Sequence, residues 1–120
     1  MRALELGIIC SRPVIEGTRY DCILDTGTRL YRAQVKYANG VCTNTAGVVQ
    51  VNLRKEIQKE RNRTYSDTEI DVLLVYIPRI DRVCWFGPEV FNRRQSLSIR
   101  LDRSKNGQVK RCLSAENYLW

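Results

Sequence analysis

From Leu30 to Tyr37 the residues alternate in kind, a period of two that a helix cannot satisfy. In an extended strand Leu30, Arg32, Gln34 and Lys36 share one face, and Tyr31, Ala33, Val35 and Tyr37 share the other. The four residues Asp25-Thr26-Gly27-Thr28 just before it have turn chemistry, with glycine free to adopt positive φ. Tyr20 to Leu24 before the turn is a short apolar run, so the whole segment predicts a β-hairpin.

The rest of the chain reads in the same short units. Leu6 to Cys10 is an apolar stretch that Pro13 brings to an end, and Val48 to Leu53 can form a strand. Ile70 to Ile77 is the strongest core strand and stops at Pro78; Arg82 to Phe86 follows after a turn. Leu97 to Leu101 alternates, which predicts a half-exposed strand. Residues 38–47 read as a polar loop, and Arg54 to Arg63 as a dense charge run. Ser114, Glu116 and Asn117 predict the opening of a short terminal helix carrying Tyr118, Leu119 and Trp120. With 120 residues and no repeat or linker, the chain is expected to be a single domain, 1–120, of mixed α/β class with a central sheet and few short helices.

Composition narrows the chemistry. There is no apolar run of about 18 residues, so no membrane-spanning helix is expected, and no signal-peptide core, which reads as an intracellular protein. Twenty Lys and Arg against thirteen Asp and Glu leave a formal charge of +7, which favours a polyanionic partner. The five cysteines are scattered without a CxxC pair; Cys10, Cys22 and Cys84 lie in apolar runs and are expected to be buried. Histidine is absent, which removes Ser-His-Asp and Cys-His catalysis. Hydrolysis by this chain must use carboxylate, amide, lysine and a hard metal.

The hairpin offers such a set. Gln34 and Lys36 lie two apart on one strand face, and Asp21 on the other arm can face them, since paired strands are only about 5 Å apart. A carboxylate with an amide or backbone oxygen suits Mg²⁺, and a lysine can orient water or stabilise charge on a phosphate. The same spacing also arises in hairpins with no catalytic role.

The segment Arg19 to Asp25 followed by Arg29 to Lys36 resembles the PD-(D/E)XK nuclease core, and more narrowly the group I intron-encoded homing endonucleases of that fold. Tyr65 and Ile70 to Pro78 are like that family's third core strand, and Asp81 to Val83 like its next turn and strand. Asn106-Gly107-Gln108 with Ala115 to Leu119 is similar to its C-terminal end. The resemblance implies a restriction-endonuclease-like fold in which Asp21 binds metal, Gln34 stands at the acidic position and Lys36 is the catalytic lysine. By the same resemblance the Val35 carbonyl is expected to complete the metal site, with Mg²⁺ as cofactor and Mn²⁺ as a substitute. It also implies cleavage of both strands of a long, nearly palindromic double-stranded DNA site by a homo-oligomer, a dimer or a tetramer. Two features depart from the pattern: Gln34 brings no charge, and only Met1 to Leu6 precede Gly7, where family members have a helix carrying a glutamate.

Candidate DNA contacts are Thr43, Asn44 and Thr45 in the polar loop, Arg54 and Lys55 in the charge run, and Arg93 and Arg94. Each also reads as plain solvated surface. Asp25 is expected to serve the turn, not a metal, and Trp85, Phe86, Tyr118 and Trp120 to pack in the core or at a subunit contact. Two other readings stay open: a junction-resolving or repair nuclease of the same fold, and a DNA-binding protein with a degenerate site.

Overall fold

The computed structural model describes residues 5–14, 20–38, 40–41, 47–53, 55–57, 60–101 and 113–120. Eleven strands appear in chain order: β1 (Ile9–Ser11), β2 (Cys22–Asp25), β3 (Leu30–Tyr37), β4 (Gly40–Val41), β5 (Val48–Asn52), β6 (Lys55–Ile57), β7 (Glu60–Arg63), β8 (Val72–Ile77), β9 (Arg82–Phe86), β10 (Ser96–Arg100) and β11 (Leu113–Ser114). One helical turn, α1 (Pro88–Phe91), and a 3-10 turn at Ala115–Asn117 complete the described elements.

The hairpin is built as its alternation predicts. Gly27 has φ +88°, and its N–H donates to Asp25 Oδ1 at 2.9 Å, so Asp25 serves the turn. β2 and β3 then pair antiparallel with Cys22 opposite Ala33 and Asp25 opposite Leu30. On its other edge β3 pairs in parallel with β8, Gln34 beside Leu73 and Lys36 beside Val75. With β1 outside β2 and β9 outside β8, this makes a five-stranded mixed sheet in the order β1-β2-β3-β8-β9. β8 is covered on both faces, which is why Val72 to Ile77 reads as an almost unbroken apolar run.

A second sheet, β11-β10-β5-β4, packs on one face of the first. Leu73, Val75, Ile77, Cys84 and Phe86 of the first sheet meet Val49, Val51, Leu53, Leu97 and Ile99 of the second, with Phe91 and Tyr65 closing the core. The opposite face buries a smaller cluster, Cys22, Leu24, Ala33, Val72 and Leu74, under Tyr31, Trp85 and Trp120. Burial and a hydrogen bond with half-buried Cys10 push the Cys22 thiol up to about 12, and burial pushes Cys84 up to about 11.

The charge run contains a hairpin, β6 with β7. Two expectations are corrected. Gly40–Val41 of the expected loop pairs with β5, while 42–46 lie outside the described residues. The terminal helix is only the 3-10 turn; beyond it the Trp85 N–H bonds the Tyr118 carbonyl at 2.8 Å and the Trp120 N–H bonds Val83 at 2.9 Å, so the tail edges β9 as an extended chain. There Tyr118 stacks on Phe86 and Trp120 on Trp85, which places these aromatics in the fold's own packing. No described helix is long and apolar enough to cross a membrane.

Candidate active site

Extending the β2–β3 register by one residue sets Asp21 opposite Gln34. Their side chains touch: Gln34 Nε2 donates to Asp21 Oδ2 at 2.8 Å. The same oxygen accepts the Val35 N–H at 2.9 Å. β2 has ended at this level, so Asp21 supplies the acceptor that a strand neighbour would have given. A strand residue sends its N–H and carbonyl to the same side, which puts the Val35 carbonyl on the edge that Asp21 occupies. Asp21 is exposed and Gln34 half-buried, so solvent and a ligand can reach the pair.

Lys36 follows Gln34 on the same face. Its ammonium lies 5.3 Å from the centre of the Tyr65 ring, a cation–π distance. Tyr65 is buried, and burial first, then the negative charges of Asp21 and Glu69, push its hydroxyl up to about 12. Tyr65 thus meets the lysine with its ring and feels the charge of the carboxylates at its hydroxyl. Glu69 is the buried charged residue among those described, set in the turn that Ser66 closes by accepting its N–H at 3.0 Å.

The strand that bears these residues is anchored at its entrance. Arg32 donates from Nε and Nη2 to the two carboxylate oxygens of Asp71 at 3.0 and 3.1 Å, and its backbone N–H donates to the same carboxylate at 2.8 Å. These bonds hold the Asp71 carboxyl below the usual carboxylate range, the Arg32 side chain being the largest cause. Register between β3 and β8 is thereby pinned one step before the site.

The oxygen donors available are all hard: the carboxylate of Asp21, the amide oxygen of Gln34 and the Val35 carbonyl. They fit Mg²⁺ or Mn²⁺ by type. Among the described residues no three His, Cys, Asp or Glu side chains gather into a metal cluster, so the site is lean in charge. Asp21 Oδ2 takes both donated hydrogens, and among the described residues Oδ1 takes none.

The candidate DNA contacts separate. Arg93 and Arg94 are exposed in the turn after α1, where the Arg93 N–H bonds the Tyr65 carbonyl at 2.9 Å, so this turn borders the site. Lys55 opens β6. Thr43, Asn44, Thr45 and Arg54 lie outside the described residues. Reading the sequence missed a role for Tyr65; the signal was a lone tyrosine at the end of a charged run, which does not by itself point at Lys36.

The architecture has a solved counterpart. A bacterial homing endonuclease, I-Ssp6803I, superposes with a TM-score of 0.74 at 24% identity over 99% of this chain and 79% of its own. At that identity the likeness establishes the fold. No curated protein matches the chain. The sequence itself matches the family described as PD-(D/E)XK endonuclease over residues 1–120, and the chain belongs to the PD-(D/E)XK endonuclease family.

Proposed function

We propose that the chain is a metal-dependent endonuclease that cuts both strands of duplex DNA at a specific site, in the manner of a homing endonuclease. The observation that carries this reading is the contact of Asp21 with Gln34 and the Val35 N–H, on the strand face that also bears Lys36. Asp21, the Gln34 amide oxygen and the Val35 carbonyl would hold the cation. The chemistry supplied at that position by Mg²⁺ or Mn²⁺ would be polarisation of the scissile phosphate and a lowered pKa for an attacking water. Lys36 donates a hydrogen bond that orients this water and offsets charge building on the phosphate. Without histidine in the chain, no imidazole shares that task.

The net charge of +7 supports binding to the phosphate backbone, and Arg93 and Arg94 stand beside the site to meet it. Thr43, Asn44 and Thr45 remain the proposed base readers, Arg54 and Lys55 further phosphate contacts. One chain carries one such centre, so cutting both strands calls for a homo-oligomer, with a two-fold axis matching the DNA dyad; dimer and tetramer both satisfy this. Sedimentation of the free protein reads the assembly state directly.

Nicking of supercoiled plasmid in Mg²⁺ or Mn²⁺ tests the proposal. Wild type converts plasmid to open and linear forms, while Lys36→Ala and Asp21→Asn bind DNA and leave it intact. Wild-type rates in Lys36→Ala would remove the lysine from the chemistry. The lean charge of the site favours one second reading, a DNA-binding protein with a degenerate centre. Salt-dependent binding with no cutting in either metal selects that reading.

A further inference from the structure

We infer that Tyr65 is a positioning residue that holds the Lys36 ammonium for the cleavage proposed above. The inference rests on that reading for its chemistry, and on the geometry of ring and cation for its substance.

A lysine carries its charge on a flexible four-carbon stem, so a site that uses it must restrict it. Among the described residues Lys36 makes no salt bridge. The contact that restrains it is aromatic, Nζ lying 5.3 Å from the Tyr65 ring centre. The negative face of an aromatic ring attracts an ammonium without neutralising it. A carboxylate partner would bind Lys36 more tightly and draw it from the phosphate; a ring leaves all its hydrogen-bond donors free to reach the substrate.

The ring is itself well fixed. Tyr65 is 3% exposed within the main core, and its carbonyl accepts the Arg93 N–H at 2.9 Å. Directly after it, the Ser66 carbonyl accepts the N–H groups of Glu69 at 3.0 Å and Ile70 at 3.2 Å, closing the turn into β8. The lysine therefore rests on a side chain that cannot follow it if it strays. Asp21 acts on the Tyr65 hydroxyl through its charge.

Two measurements on the full chain test this. The first is the proton spectrum of the Lys36 ε-methylene, which the ring current shifts upfield in wild type and in Tyr65→Phe but not in Tyr65→Leu. An ordinary lysine shift in wild type overturns the inference, whatever the enzyme does to DNA. The second replaces Tyr65 by phenylalanines bearing increasing numbers of ring fluorines, which weaken the ring's negative face at nearly constant size. Plasmid nicking then falls stepwise, by about threefold to tenfold in all, while melting temperature and DNA affinity hold. A flat series shows a packing role alone and overturns the inference. A shifted Lys36 signal in a protein that nicks no plasmid instead overturns the functional reading beneath it.

Discussion

Arg32 and Asp71 form a two-pronged clamp, Nε and Nη2 each meeting one carboxylate oxygen at 3.0 and 3.1 Å. The clamp joins β3 to the entry of β8, and the Asp71 N–H returns a bond to the Arg32 carbonyl at 2.8 Å. Asp71→Asn leaves the guanidinium without its anion and is expected to cost about 1–2 kcal/mol, since both partners remain partly solvated. The carboxyl is held below its usual range in the folded state, so its contribution is complete above the unfolded value of about 4 and fades as pH falls through the folded one. Denaturant titrations at several pH values check this: the wild-type advantage over Asp71→Asn shrinks toward acid. A constant gap would show that the charge on Asp71 is not what matters.

Gln34→Glu places a second carboxylate against Asp21, where an amide N–H now donates. Without metal the two anions repel and the melting temperature falls. With metal the added charge raises Mg²⁺ affinity by about tenfold, because ligand charge sets cation affinity. Calorimetric titration with Mg²⁺ decides it, and unchanged affinity would remove Gln34 from the metal site.

Arg93 has φ +57°, a left-handed conformation that glycine adopts without strain. Arg93→Gly exchanges relieved strain for greater freedom in the unfolded chain, so stability stays within about 1 kcal/mol of wild type. DNA affinity drops, and the salt dependence of binding becomes shallower by about one phosphate contact. Binding isotherms over a range of salt read this; an unaltered slope assigns Arg93 to solvent.

Phe86 is fully buried between the two sheets, packed on Tyr118 with ring centres 4.8 Å apart. Phe86→Ala is expected to cost about 3–5 kcal/mol, through lost burial and the cavity left behind. Thermal unfolding measures it, and a loss under about 1 kcal/mol would mean that the sheets close over the gap.

Sequence carried the first hairpin because each of its signals is local. The turn chemistry of Asp25 to Thr28 and the alternation of β3 concern residues a few positions apart, and they placed Asp21 opposite Gln34. The parallel pairing of β3 with β8 was not legible, since among the described residues no helical crossover separates the two strands to announce it. The β6–β7 hairpin was hidden because most of its residues are charged, which leaves no apolar alternation to read in the sequence. The tail from Tyr118 to Trp120 looked helical by composition, but its partner is β9, and only tertiary contact could make it extended. The facing of Asp21 and Gln34 was legible, whereas the meeting of Tyr65 with Lys36 was not, because it depends on a turn far along the chain.

That distant pairing has a consequence for synthesis. A ribosome releases Asp21, Gln34 and Lys36 early, in a hairpin whose outer edge still lacks β8. The Tyr65 ring and the Asp71 carboxylate that clamps Arg32 come much later. A nascent chain therefore holds the proposed site residues before it holds their scaffold, and the Lys36 ammonium has no ring to rest on until Tyr65 has emerged. A chain whose translation is aborted before that point carries Asp21, Gln34 and Lys36 without the strand, clamp and ring that surround them in the complete fold.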